Sequence, residues 1–248
     1  PDSFKDAKYS AARERSVGLG VMGFHSFLQK KSIPFESVMS KVWNKKIFKN
    51  IQEKVDAASI SLAEERGACP DAAEYGMKER FSNKTAIAPT ASISIICGGS
   101  SPGIEPIAAN SYTHKTLSGS FNVRNKYLKK ILQKYKKDTD DVWSTITTNQ
   151  GSVAHLNFLT PDEKDTFKTA FEIDQRWIVE LGADRTPHIS QAQSIKIFIP
   201  AEIHKKDLHD LHFQAWKKGL KSLYYCRSKS IQRAENVNKG SSTDVTKN

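Results

Sequence analysis

The sequence predicts an α/β fold with a largely parallel sheet, arranged as a barrel or as part of one. Three observations point there. Helical and strand periods alternate through the second half, no internal repeat or linker divides the chain, and 248 residues with 38% hydrophobic content suffice for a buried core. No apolar run approaches the roughly 18 residues needed to cross a bilayer, so no membrane span is expected.

A first helix is expected over residues 8–31, where Val17, Val21, Phe24 and Leu28 share one face, and a second over residues 37–66, closed by Gly67. Residues 85–97 change period and read as a short buried strand interrupted at Ala88-Pro89. Thr160-Pro161-Asp162-Glu163 combines an N-cap, a proline at the first helical position and a capping-box glutamate. It opens a helix that buries Phe167, Phe171, Ile178 and Leu181 and ends at Gly182. Residues 193–199 alternate as a strand, residues 207–218 form a helix stopped by Gly219, and residues 220–226 form another strand. From Asn236 the chain is rich in Ser, Thr, Asn and Lys and reads as a flexible tail, residues 236–248.

Thirty-eight Lys and Arg against 27 Asp and Glu leave a formal charge of +11, a balance that attracts phosphate groups of some kind. The surplus is scattered over helix faces, and neither aromatic interleaving nor a nucleic-acid module accompanies it, so no specific nucleic-acid partner is expected. Cys69, Cys97 and Cys226 form no C-x-x-C pair and fit a reducing, cytoplasmic setting. His204, His209 and His212 lack a carboxylate or thiolate at ligand spacing, so no metal site is expected.

Gly18-x-Gly20-x-x-Gly23 has the spacing of a dinucleotide fingerprint and keeps an NAD-dependent dehydrogenase as the alternative, beside a basic nucleic-acid-binding protein. That fingerprint requires a preceding apolar strand, whereas residues 9–16 are charged and helix-forming, so the glycines are expected inside a helix with close neighbours. In residues 88–94 a proline turn leads into small hydroxyl residues whose backbone N–H groups and hydroxyls could bind an anion, although a strand of small residues packed on a helix would read the same. Tyr224 and Tyr225 end a strand. An ideal strand points one inward and one outward, whereas a bend would stack the rings, and two stacked phenols can pass an electron and a proton together.

Five ordered blocks carry a resemblance: residues 13–24 (RERSVGLGVMGF), 87–94 (IAPTASIS), 103–106 (GIEP), 191–198 (QAQSIKIF) and 218–227 (KGLKSLYYCR). Together they closely resemble the C-terminal part of the large, catalytic subunit of class I ribonucleotide reductase. The resemblance implies reduction of ribonucleoside diphosphates to deoxyribonucleoside diphosphates by a cysteine thiyl radical, in a ten-stranded α/β barrel of which residues 1–235 form the C-terminal half. It places the substrate-phosphate loop on Pro89, Thr90, Ala91, Ser92 and Ile93, with Ser94 following, and the radical-transfer pair on Tyr224 and Tyr225. By that analogy Tyr225 takes up the radical from the side of the small (beta) subunit, which would carry a metal-based radical cofactor, and Tyr224 passes it to the active-site cysteine. No cofactor is expected on this chain itself.

The family's thiyl cysteine, its redox-active cysteine pair and its nucleotide-sensing regions precede the matched segment, so Cys69, Cys97 and Cys226 receive no catalytic role. The shuttle cysteines usual on the family's tail are absent from residues 228–248. The expectation is a split or fragmentary large subunit, inactive alone and joined to an N-terminal portion, with a thioredoxin or glutaredoxin-type reductant as a further partner.

Overall fold

Four extended segments, residues 17–19, 83–87, 191–199 and 224–228, lie side by side and all run in the same direction. Leu19 bridges Thr85 and Ile87 bridges Gln193, both in parallel. Strand β3 (Lys196–Ile199) pairs in parallel with β4 (Tyr225–Ser228), in the register Lys196 to Tyr225 and Phe198 to Arg227. The structure is a computed structural model and describes residues 3–116 and 119–228, with backbone alone at Lys115, Thr116 and Tyr225. The expected flexible tail, residues 236–248, lies outside the described residues.

Parallel neighbours need long return connections, and each here contains helices. Between the first two segments run α2 (Phe24–Lys30), α3 (Val38–Arg66) and α4 (Pro70–Glu74), following the N-terminal helix α1 (Lys5–Glu14). Between the third and fourth runs a single long helix, Lys205–Lys217. All four positions of β3 are buried, as a strand covered on both faces requires. Phe24, Leu28, Phe48, Ile87, Ile195 and Phe198 belong to the core that joins these segments to the helices. Within it Arg185 is 1% exposed. Its guanidinium donates to Gln193 Oε1 at 2.6 Å and Asn44 Oδ1 at 2.8 Å and lies against the Phe24 and Phe48 rings, so the buried cation is both bonded and shielded.

The connection from residue 87 to residue 191 is the longest and contains a second folding unit. The antiparallel hairpin β1 (Ser111–Thr116) and β2 (Gly119–Arg124) leads into α6 (Lys126–Lys134), α7 (Asp140–Thr148) and α8 (Pro161–Thr166). Asn125, Thr139 and Thr160 cap these three helices with their own side chains, and Thr160 and Glu163 complete the capping box expected from the sequence. Leu128, Leu132, Trp143, Ile146 and Phe167 close a core of their own.

Several sequence expectations need correction. The helix expected over residues 8–31 is two helices, α1 and α2, with extended backbone between them, because Arg15 caps α1 in the left-handed region at φ +48°. The glycines therefore lie in the edge segment and its exit rather than inside a helix. The strand expected over residues 85–97 continues only to Ile87, and α5 (Ala91–Ile96) follows the proline turn. The helix opened at Thr160 ends at Thr166, and α9 (Gln175–Arg185) starts afresh at the Asp174 cap. Gly182 lies inside α9 rather than ending it, since a Cβ there would stand 2.8 Å from Ile195 Cδ1. The helix Lys205–Lys217, α10, matches its expected position, whereas the last strand begins at Tyr225 and not at residue 220.

Candidate active site

The sheet segment ending at Ile87 turns at Ala88-Pro89, and Thr90 takes left-handed geometry at φ +51° to start α5. Ser94 N–H donates to Thr90 O at 2.9 Å and closes the first helical turn. The N–H groups of Ala91, Ser92 and Ile93 thus head the helix without intrahelical acceptors, and no side chain caps them. The hydroxyl of Thr90 instead accepts from Gly103 N–H at 2.7 Å. Gly103 has φ +45°, and a Cβ there would lie 3.0 Å from Ala88 O, so only glycine lets this backing segment press against the turn. Lys126 donates to Gly98 O at 2.9 Å and holds the far end of the loop.

Ala91 and Ser94 line a cavity of about 390 Å³, together with Ser26, Gln29, Asn125 and Arg227. One wall is tied by carboxamides: Asn125 donates to Gln29 Oε1 at 2.9 Å and to Asn110 Oδ1 at 2.8 Å, and Asn110 donates to Phe167 O at 2.7 Å. Behind it His25 is fully buried, and burial lowers its pKa to about 3. Its Nδ1 accepts from Ile107 N–H at 2.9 Å, so the neutral ring keeps its proton on Nε2.

The two tyrosines lie where the fourth parallel segment begins. Tyr224 N–H donates to Ile195 O at 2.8 Å, the ring is half-exposed, and Tyr225 is the register partner of Lys196. The stack of the two phenols expected as one possibility falls outside the described residues, since it depends on the side chain of Tyr225. Arg227, two residues on, reaches the cavity wall, so the loop and the end of the tyrosine strand meet at one cavity.

Sequence reasoning missed one pair. Lys196 and Glu105 are both buried, with Lys196 Nζ 2.9 Å from Glu105 Oε1. Burial holds the pKa of the Glu105 carboxyl above the ordinary carboxylate value, and Lys196 and Arg227 offset only part of the rise. The signal was a lysine at the head of an otherwise apolar strand. The histidines of α10 serve locally instead: His204 caps the helix, His212 bonds to Leu208 O and His209 stacks on Phe213. Among the described residues no three ligating groups gather as for a metal.

The dinucleotide reading fails on geometry. At Gly20 a Cβ would lie 2.6 Å from Ala86 O, so this glycine admits a neighbouring strand and not a pyrophosphate. The start of α2 is already occupied: Gly23 N–H donates to Ser101 O, Phe24 N–H to Gly103 O and Ser26 N–H to the Ser101 hydroxyl.

Comparison with known proteins identifies the family. Residues 2–78 and 70–226 match the family described as ribonucleotide reductase, barrel domain. The ribonucleoside-diphosphate reductase large subunit of Invertebrate iridescent virus 6 is 48% identical over 241 residues, covering 96% of this chain and 25% of that protein. The corresponding protein of Invertebrate iridescent virus 3 is 44% identical, covering 98% of this chain and 39% of its own length. The class Id ribonucleotide reductase alpha subunit of Actinobacillus ureae superposes with a TM-score of 0.82 at 40% identity, over 89% of this chain and 40% of that one. The chain thus spans between a quarter and two fifths of the length of these relatives. It belongs to the ribonucleotide reductase family, within the barrel domain of the large subunit.

Proposed function

We propose that this chain contributes the phosphate cradle and the tyrosine relay to the reduction of ribonucleoside diphosphates. One observation carries the reading: Ala91 and Ser94 of the loop and Arg227 of the tyrosine strand line one cavity. The free N–H groups at the head of α5 suit the terminal phosphates, and Arg227 adds a positive charge to the same cavity. Pro89 and the left-handed Thr90 fix the turn, while Ala91, Ser92, Ile93 and Ser94 leave the approach unobstructed.

In the relay an oxidising equivalent arriving from the small subunit, the expected source of a metal-based radical, is taken up at Tyr225, whose phenol gives up an electron and a proton. Tyr224 then restores Tyr225, and a cysteine thiol returns a hydrogen atom to the Tyr224 oxygen, leaving a thiyl radical. That thiyl removes a hydrogen atom from the ribose, the 2′-hydroxyl leaves as water, a dithiol supplies two electrons and two protons as it becomes a disulfide, and the first thiol returns its hydrogen atom to the sugar. The reacting thiols are provided by other parts of the large subunit. A thioredoxin or glutaredoxin-type protein would reduce the resulting disulfide.

The test compares residues 1–248 alone with the complete large subunit, each given small subunit, reductant and cytidine diphosphate. The complete subunit forms deoxycytidine diphosphate and the 248 residues alone do not. Product from the short chain would place the reacting thiols within it and overturn the reading.

A further inference from the structure

Between the cradle and the tyrosine strand lies an ion pair that the proposed chemistry leaves unused. Lys196 and Glu105 are 5% and 4% exposed. Lys196 Nζ donates to Glu105 Oε2 at 3.2 Å and stands 2.9 Å from Oε1, off the hydrogen-bonding direction of that oxygen. Ile104, Ile195 and Ile197 are buried in the same two segments.

A buried ion pair is a poor device for stability, because desolvating both charges consumes most of what their attraction returns, and apolar replacements of matched volume often fold as well or better. What such a pair provides is position: a buried charge is costly away from an opposite charge, and Arg227 also acts on Glu105 electrostatically. Here each partner is anchored to one half of the site. On one side, Gly103 N–H holds the Thr90 hydroxyl of the phosphate loop, and Glu105 N–H closes the same turn on Pro102 O at 3.1 Å. On the other, Lys196 is the register partner of Tyr225, and its neighbour Ile195 accepts the Tyr224 N–H. The pair therefore completes a short mechanical path from Thr90 through Gly103, Glu105 and Lys196 to the backbone of the tyrosines.

We propose that Lys196 and Glu105 are positioning residues that lock the phosphate cradle and the tyrosine strand into one fixed relation, so that a diphosphate seated at the loop stays in register with the radical path. This rests on the function proposed above. Reaction geometry is sensitive to such a link, since a misplacement of about 1 Å costs on the order of a hundredfold in rate.

The experiment is the double substitution Lys196→Met with Glu105→Leu in the complete large subunit, assembled with small subunit and reductant. Three quantities are measured: the thermal midpoint, the dissociation constant for cytidine diphosphate and turnover. A positioning pair predicts a midpoint within a few degrees of the parent, about tenfold weaker binding and turnover lower by about a hundredfold. A folded double variant that binds and turns over like the parent overturns the proposal, as does one that loses only binding or only turnover. Should the double variant not fold, Glu105→Gln keeps the volume and one acceptor and is judged by the same two readouts. Failure of the functional reading shows separately, as a parent subunit that does not bind cytidine diphosphate or whose Tyr225→Phe variant stays active.

Discussion

The unit formed by β1, β2, α6, α7 and α8 and the parallel segments beside it solve the same chain in opposite ways. In the first, each helix start is capped by its own neighbour and the core residues Leu128, Leu132 and Ile146 are all fully buried by one another. In the second, apolar side chains remain uncovered at both ends of the row: Val17 and Leu19 at one edge, Tyr224 at the other, with Ile93 and Ile96 on α5 between them. The contrast teaches where the chemistry is placed. The closed core of α6, α7 and α8 is a buttress, and the proposed site lies where the hairpin of that unit, which lends Tyr112, Val123 and Arg124 to the cavity, meets the open row.

If the division is sound, the largest effect comes from a single phenol oxygen of the tyrosine strand. Tyr225→Phe in the complete subunit should lower turnover by at least about a thousandfold while leaving the diphosphate dissociation constant nearly unchanged; binding and turnover assayed on the same preparation check it. Leu132→Ala should do the reverse in the closed unit, costing about 2–5 kcal/mol of stability in urea unfolding with turnover per folded molecule retained. Ala91→Asp brings a carboxylate to the head of α5 and should weaken diphosphate binding by about tenfold, which equals about 1.4 kcal/mol in calorimetric titration.

A further test concerns the seam, where His25 of α2 accepts from Ile107 ahead of the closed unit. The folded ring has a pKa of about 3, below the ordinary 6.5, so folding excludes a proton that the unfolded chain binds. Stability is complete above pH 6.5 and is lost as pH falls towards 3, with a slope of up to about 1.4 kcal/mol per pH unit from this group. Urea unfolding at pH 7 and pH 5 should show that loss, and His25→Gln should flatten it.

The same contrast explains what was legible in the sequence. Thr160 with Glu163, and Gly67 after the long α3, act through neighbours a few residues away, and the sequence displays both signals directly. The glycines at 18 and 20 were misplaced because the strand that demands them, around Ala86, is more than sixty positions downstream. Residues 91–96 looked like a strand because Ile and Ser alternate there, and tertiary contacts decided otherwise: Thr90 in left-handed geometry and the Gly103 clamp start a helix. The Lys196–Glu105 pair was hidden for the same reason, its partners being ninety-one residues apart.

The central claim is that the head of α5 holds the substrate's phosphates beside the tyrosine strand. The most direct measurement is a crystal structure of the complete large subunit with cytidine diphosphate bound. The account predicts phosphate oxygens within about 3 Å of the N–H groups of Ala91, Ser92 or Ile93, in the cavity that Arg227 also lines. A diphosphate seated away from this loop, with those N–H groups bonded to protein instead, would contradict it.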